Sequence, residues 1–225
     1  KILESEDLLK MIGEDLEKTG IAGEEINRRM MYMVFTSRKL ANPISVTVKG
    51  DSSGGKGYLI NQTLKLFPEE DVKNFTEISA KSLFYMPEDA LEHKILVIFE
   101  RHGSESSDYS IRSLQSENKL KIAVASRDPL TNEIKTTERI VRGPVCFVET
   151  TTALNIHPEN ETRCFDLYVD ESERQTEKIF FNQNLSYQPA NRLKPEEQEG
   201  ILRKHKTIQR LLKPVRVVID YVDKI

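Results

Sequence analysis

Residues 44–66 read ISVTVKGDSSGGKGYLINQTLKL, and this stretch of sequence decides the fold. Its first residues alternate between apolar and polar side chains, which is the period of a β-strand with one buried face. A glycine-rich loop follows over residues 50–56, and residues 58–64 have the composition of a helix. Strand, loop and helix in this order are the context in which GxxxxGK predicts a phosphate-binding loop.

The residue types in the loop suit an anion. Glycines allow the backbone to curl so that several N–H groups point at one phosphate, and the helix N-terminus adds partial positive charge. Lys56 supplies a mobile cation for the β- and γ-phosphates. A chance match within a glycine-rich turn is the alternative. The residues predicted to bind nucleotide are Gly50, Asp51, Ser52, Ser53, Gly54, Gly55, Lys56, Gly57 and Tyr58.

Composition narrows the class of protein. The 225 residues are enough for one sizeable α/β domain, and the net charge of −3 excludes a globally basic nucleic-acid binder. No apolar run approaches the roughly 20 residues that cross a bilayer, and no signal peptide is visible. Cys146 and Cys164 lie in apolar runs, which predicts reduced core thiols in a cytoplasmic protein. The four histidines lack metal-ligand spacing, so no protein metal site is predicted.

A second strand is predicted near the loop. Residues 94–99, KILVIF, form the continuous apolar run of a buried parallel strand, and Glu100 follows it. An acidic residue at the carboxyl end of such a strand occupies the Walker B position, so Glu100 is the predicted general base for a lytic water. The alternative is that Glu100 only caps the strand.

Two positions depart from the usual magnesium-supporting pattern. Gly57 follows the P-loop lysine where Ser or Thr normally binds Mg²⁺, and Phe99 stands where an Asp normally precedes the Walker B Glu. The sequence therefore predicts ATP with Mg²⁺ held mainly through the phosphates and waters, with help from Glu100.

Residues 119–142 predict a β-hairpin, because two alternating runs flank a turn at residues 128–133. The cations Arg127, Lys135, Arg139 and Arg142 are placed near its tip and flank. An ordinary surface hairpin with a solvated charged face is the alternative.

The next core strand is predicted at residues 145–148 and closes at the polar residues 149–152. Thr150 and Thr151 suit contact with a γ-phosphate and a lytic water. Their alternative role is that of helix caps or turn residues. A further strand covers residues 164–169, and Asp170 to Glu173 begin a helix.

The predicted fold is an α/β P-loop NTPase, a three-layer sandwich with a mostly parallel central sheet, an inserted hairpin and helical flanks. Residues 1–43 are a helical lead-in, residues 44–187 the ATPase core, and residues 188–225 a helical and strand extension with a last strand at 215–222. The chain begins with Lys1, and we expect it to be part of a longer protein with a further domain beyond the extension.

The order of P-loop, Walker B-like Glu100, hairpin, Thr-rich strand end and Arg163 before Cys164-Phe165-Asp166-Leu167 resembles the AAA+ ATPases. Within them it is similar to the clade with a hairpin before the sensor-1 strand, which includes superfamily-III and minichromosome-maintenance helicases. It also resembles ATPase modules fused to, or encoded beside, DNA primases of bacteria, phages and mobile elements. The resemblance covers about residues 44–185.

The resemblance implies a role for each matching residue. Thr151 or Thr150 would be sensor 1, and Arg163 would be an arginine finger acting in trans on a neighbouring subunit, with Arg112 as a second candidate. The hairpin would enter the channel of a homo-oligomeric ring, possibly a hexamer, and bind single-stranded DNA electrostatically. Its predicted DNA-binding residues are Arg127, Lys135 and Arg139.

The leading functional hypothesis is a DNA-dependent, helicase-like ATPase working with a primase in replication of a mobile or phage genome. The second is a degenerate AAA+ module in which nucleotide sets the assembly state without efficient hydrolysis, favoured by Gly57 and Phe99. A small-molecule P-loop kinase is a third reading, but it leaves the hairpin and Arg163 without a role.

Overall fold

The computed structural model describes residues 7–99, 105–127, 132–153, 162–188 and 193–215. Its α-helices are α1 (Leu8–Lys18), α2 (Glu25–Thr36), α3 (Lys56–Leu64), α4 (Ala80–Phe84), α5 (Glu105–Glu117), α6 (Glu173–Ser186) and α7 (Pro195–Leu211). Single 3₁₀ turns cover Ser37–Lys39 and Glu69–Asp71. The strands are β1 (Val46–Lys49), β2 (Val72–Phe75), β3 (Lys94–Ile98), β4 (Lys119–Arg127), β5 (Ile134–Arg142), β6 (Val145–Thr151) and β7 (Phe165–Tyr168).

Five strands form one parallel sheet in the order β2-β3-β6-β1-β7. Strand β6 therefore lies between β1, which leads into the glycine-rich loop, and β3, which leads to Phe99 and Glu100. The carboxyl ends of parallel strands meet at one edge of a sheet, where α/β proteins bind ligands. This edge therefore carries the loop, Phe99 and Thr151 side by side.

Hydrophobic packing covers both faces of the sheet. One buried cluster joins residues of α1, α2 and α3 to the sheet residues Val46, Val48 and Val97. The other joins Leu83 of α4, Ile111 and Leu114 of α5 and the hairpin base to Leu96, Ile98 and Phe147. Helices on both faces of a parallel sheet make the predicted three-layer sandwich, which the structure confirms.

Strands β4 and β5 form the predicted hairpin, paired from Lys119–Arg142 to Arg127–Ile134 and separate from the main sheet. Leu120 and Val141 anchor its base in the core, whereas Ile134 near its distal end is 70% exposed. The distal part of the hairpin thus projects into solvent.

Helix α7 of the C-terminal extension packs on the lead-in through polar side chains, all buried except half-buried Lys204, rather than through apolar contacts alone. We call this set the flank network: Asp15, Tyr32, Arg38, Lys204, His205 and Gln209. His205 joins the Tyr32 hydroxyl to Asp15 Oδ2, each at 3.0 Å, and Gln209 Oε1 accepts from Arg38 at 2.7 Å. The predicted domain boundaries stay predictions, and the last predicted strand lies largely outside the described residues.

One strand boundary differs from the prediction. The strand predicted at residues 145–148 continues to Thr151, because Thr150 and Thr151 pair with Val48 and Lys49 of β1. These polar residues suggested the end of the strand, but their pairing with β1 keeps them within β6. None of the helices in the described parts of the chain is long and apolar enough to cross a membrane.

Candidate nucleotide site

The glycine-rich loop joins β1 to α3 through a left-handed turn. Ser53 has a φ of 66° and Gly55, directly before α3, a φ of 89°. The left-handed region disfavours residues with a Cβ, so glycine is the suitable residue at the position that starts the helix. No atom lies within 4 Å of a Cβ built on Gly55, so this side of the loop faces open space.

Lys56 folds back over the loop that precedes it. Its Nζ donates to the carbonyl of Gly50 at 2.8 Å and to the carbonyl of Asp51. An ammonium group has three N–H donors, so one remains for a phosphate oxygen. The lysine of the motif is thus held where a phosphate bound by the loop and the first turn of α3 would meet it.

Lys49, the last residue of β1, is paired with a carboxylate, whereas Lys56 bonds only backbone carbonyls. Its Nζ lies 2.6 Å from Asp166 Oδ2, and this hydrogen bond raises the pKa of Lys49. The charge of Lys49 is therefore neutralised within the sheet, and Lys56 is the loop cation that faces a ligand.

A cavity of about 760 Å³ opens beside the loop, within the usual range for small-molecule sites. Gly54, Gly55 and Tyr58 form one wall, and residues 17–22 with Glu24, from the end of α1 to the start of α2, form another. The third wall is α6, through Gln175, Ile179, Asn182 and Gln183. The cavity has room for the base and sugar of a nucleotide whose phosphates lie on the loop.

Tyr58 connects two of these walls. Its hydroxyl donates to the carbonyl of Gly20 at 3.0 Å, while 52% of the residue remains exposed. Partial burial raises the pKa of Tyr58, so the hydroxyl stays a donor at neutral pH. Tyr58 therefore ties the lead-in to the first turn of α3.

Glu171 holds the start of the loop, a role that the sequence analysis missed. Its Oε1 accepts from the backbone N–H of Asp51 at 2.5 Å. A Cβ on Gly54 would overlap this oxygen, and one on Gly50 would lie 2.7 Å from it. Gly50 and Gly54 are thus required for the close approach of this carboxylate. The only sequence signal was an acidic residue after β7.

Among the described residues, the two positions that usually support Mg²⁺ in a P-loop site carry no polar side chain. A Cβ on Gly57 would lie 3.6 Å from Cε1 of the Phe99 ring, so the two departures from the motif are close neighbours in the structure. No group of three or more His, Cys, Asp or Glu in the described residues could hold a metal ion. The side chains at positions 57 and 99 do not fit a magnesium site, and Glu100 lies outside the described residues.

The two sensor candidates face different neighbours. The Thr150 hydroxyl donates to the carbonyl of Phe99, which ties the end of β6 to the end of β3. Thr151 Oγ1 accepts from the N–H of Ala153 at 3.0 Å, and its own proton meets no acceptor within the described part of the chain. Thr151 is therefore the better placed of the two for a ligand.

Arg163 lies at the opposite edge of the sheet from the loop. It precedes β7, is exposed, and donates from Nε to Ser116 Oγ at 3.1 Å. The loop follows the carboxyl end of β1, whereas Arg163 borders a small cavity with Asn42 and Ser45 before that strand. Arg163 cannot reach the loop of its own chain across the sheet. Arg112 lies half-buried on α5.

The hairpin cations lie at two positions along the hairpin, two of them near its distal end and two nearer its base. Arg127 and Lys135 belong to the last two described residue pairs of the hairpin. Arg139 pairs with Ile122 further back, and its guanidinium lies 4.7 Å from the Tyr85 ring centroid. Arg142 pairs with Glu88 at 2.6 Å. The described distal cations are therefore Arg127 and Lys135, and Arg139 joins the hairpin to the residue after α4.

A glycine loop with its lysine in place, at the carboxyl edge of a parallel α/β sheet and beside a nucleotide-sized cavity, defines a P-loop domain of the NTPase fold. Residues 1–213 match the family described as MTBMA_p00010 P-loop domain, and the chain belongs to that family. No curated protein matches the chain. The family supports the P-loop part of the resemblance, and membership of the AAA+ hairpin clade stays a prediction.

Proposed function

We propose that this domain binds and hydrolyses ATP as a helicase-like DNA motor, in a homo-oligomeric ring that works with a primase in mobile-element or phage replication. The observation that carries the proposal is Lys56, held over its own loop with one N–H unused and a cavity beside it. Its cytoplasmic location is part of the proposal.

The phosphates bind the loop amides and Lys56, and the base and sugar enter the cavity between α6 and the segment after α1. Glu100 activates water as the general base, and Thr151 orients that water or the γ-phosphate. Because side chains 57 and 99 offer no metal ligand, no step is assigned to a protein-held metal.

The position of Arg163 supports a shared site. An exposed arginine at the edge opposite its own loop can act as an arginine finger only on another subunit. Such a residue stabilises the charge that develops on a transferring phosphoryl group and typically contributes about 10³–10⁵-fold to turnover. A ring places the two edges of neighbouring subunits together.

The projecting hairpin supports a DNA contact. Arg127 and Lys135 lie on a distal part that leaves the protein core, where a strand of nucleic acid could reach them. For single-stranded DNA binding, the logarithm of the binding constant falls linearly with the logarithm of the salt concentration. Replacing either residue by Ala is expected to reduce the magnitude of that slope by about 0.7 per lost phosphate contact. Exposed Lys10 is the matched control.

The test is ATP turnover with and without single-stranded DNA. Wild-type turnover should rise with DNA and disappear in Lys56→Ala, Glu100→Gln and Arg163→Ala, but not in Arg203→Ala, an exposed arginine on α7. Mixing Arg163→Ala with Lys56→Ala should restore activity. At some subunit interfaces, the intact P-loop of an Arg163→Ala subunit then meets the intact Arg163 of a Lys56→Ala subunit. DNA-independent turnover would contradict the motor, and failure of the mixture would contradict the shared site.

The alternative is a module in which nucleotide controls assembly without efficient hydrolysis. The residues Gly57 and Phe99 favour it, because neither offers an oxygen ligand at the two positions that usually support the metal. It predicts that ATP shifts the oligomeric state while no phosphate is released. Size-exclusion chromatography and a phosphate assay on the same sample separate the two functions.

A further inference from the structure

Gly57 and Phe99 are one packed unit rather than two separate departures from the P-loop pattern. A methyl group at Gly57 would lie 3.6 Å from Cε1 and 3.8 Å from Cδ1 of the Phe99 ring. These are ordinary van der Waals distances, so one added carbon at position 57 would fit in contact with the Phe99 ring. A threonine would add a hydroxyl and a methyl group beyond that carbon.

The backbone holds Phe99 in this position. Its N–H donates to the carbonyl of Phe75 at 3.2 Å, and its carbonyl accepts from the Thr150 hydroxyl. The side chain also packs against the buried cluster of α1, α2 and α3. With both backbone groups bonded and the ring in contact with the core, the ring stays over the first turn of α3.

Aromatic carbons cannot replace the oxygen ligands that magnesium requires. The hydroxyl that would bind the ion directly is missing at position 57, and the carboxylate that would support it is missing at position 99. Restoring only one of these two groups would not rebuild the magnesium site. A threonine at position 57 alone would still lie beside the Phe99 ring, and an aspartate at position 99 alone would still lack the hydroxyl ligand at position 57.

We propose that nucleotide binds this loop without a requirement for a divalent cation, and that Phe99 is the residue that determines this property. The inference rests on the proposed function, since it assumes that the loop binds nucleotide. Lys56 and the backbone N–H groups of the loop and of the start of α3 supply the attraction for the phosphates.

The first experiment titrates ATP into the whole chain by calorimetry, once with excess EDTA and once with excess Mg²⁺. Wild-type dissociation constants are expected to agree within about threefold, and Lys56→Ala should weaken binding in both conditions. A preference for Mg²⁺ above about tenfold would overturn the inference while leaving nucleotide binding intact. No binding in either condition would instead overturn the proposed function.

The second experiment restores both side chains. Gly57→Thr with Phe99→Asp is expected to bind ATP at least about tenfold more tightly with Mg²⁺ than with EDTA. Gly57→Thr with Phe99→Leu is the matched control, since it makes similar room without a carboxylate, and it should show no such gain. Thermal melts establish that each variant is folded.

A folded Gly57→Thr, Phe99→Asp protein with unchanged metal dependence would overturn the role of Phe99. A strong Mg²⁺ preference of the wild type that disappears in Glu100→Gln would assign the metal to Glu100 and would also overturn the inference. The wild-type titration tests the claim even if every variant at position 99 unfolds.

Discussion

The phosphate loop and the flank network use charged side chains in opposite ways. In the flank network Arg38 is fully buried and bonds to Asp71, Gln209 and the carbonyl of Phe35. At the loop, Lys56 bonds only backbone carbonyls and keeps an N–H for a ligand. Removing one partner of an ion pair within the fold costs stability, whereas a cation without a carboxylate partner beside a cavity is suited to binding an anion. Mutations in the flank network should therefore change the free energy of unfolding, and mutations in the phosphate loop should change the affinity for ATP.

The largest effect is expected at Arg38. Replacing it by Met keeps most of the volume but leaves half-buried Asp71 with Lys94 alone, at 3.2 Å. Removing one partner of a buried ion pair costs about 3 kcal/mol of unfolding free energy. Chemical denaturation measures this loss, and ATP affinity of the folded variant should stay at the wild-type value.

The control is the double variant Arg38→Met, Asp71→Asn. It should be less destabilised than the sum of the single changes, because it leaves no half-buried carboxylate without its arginine. A fall in ATP affinity in Arg38→Met that exceeds the loss of folded protein would show that the two regions are coupled.

A smaller effect, and one that depends on pH, is expected at Asp15. Burial alone raises the pKa of Asp15, but hydrogen bonds from His205 and Lys204 outweigh it and lower the pKa from 3.8 to about 2. A lowered pKa adds stability that is present above the unfolded pKa and is lost as the pH falls through the folded one. The Asp15 contribution is therefore complete at neutral pH and disappears between about pH 4 and pH 2.

Asp15→Asn should accordingly lower the unfolding free energy at pH 7 by on the order of 2 kcal/mol. Near pH 2 the variant and the wild type should have similar stability. Denaturation curves across this range make the comparison. An equal loss at both pH values would mean that the substitution damages packing rather than the charged hydrogen bonds.

The loop should respond in binding rather than in stability. Gly54→Ala would drive the Glu171 carboxylate from the N–H of Asp51, and Glu171→Ala would remove the same bond directly. A hydrogen bond to a charged group contributes about 1.5 kcal/mol, so either change should weaken ATP binding by about tenfold. The melting temperature should change little.

The double variant Gly54→Ala, Glu171→Ala makes this prediction specific. It should bind ATP no more weakly than either single variant, because both act through one bond. If the two losses multiply, the methyl group added at position 54 disturbs the loop by another route, and Glu171 is not what requires glycine there.

The loop and the hairpin were predictable from the sequence because their signals are local. Alternation ending in glycines determines β1, the loop and α3, and the two alternating runs of the hairpin became β4 and β5 with the expected outer limits, Lys119 and Arg142. Glycine conformations and strand periods depend on neighbours in the chain, which the sequence shows directly.

The long-range partners were not predictable in the same way. Glu171 is 120 positions from the loop residue that it binds, and the cavity wall at residues 17–22 comes from the end of the first helix and the connection that follows it. Thr151 was expected where the strand closes, and its pairing with Lys49 makes it the last residue of β6. Contacts of this kind follow from the order of strands in the sheet, which periodicity does not contain.

The smallest effect is expected at Arg210, which gives the closest comparison with Arg38. Both arginines bind neighbouring carboxylates of one 3₁₀ turn, Arg38 binding Asp71 and Arg210 binding Glu70 with Nε–Oε1 at 2.8 Å. The Arg210 pair lies in solvent, with side-chain exposures of 53% and 56%. Exposed ion pairs contribute about 0–1 kcal/mol, and salt screens them. Arg210→Ala should therefore change the unfolding free energy only slightly, and less at high salt. A loss equal to that of Arg38→Met would mean that the 3₁₀ turn itself, and not the burial of its partner, determines the stability of this region.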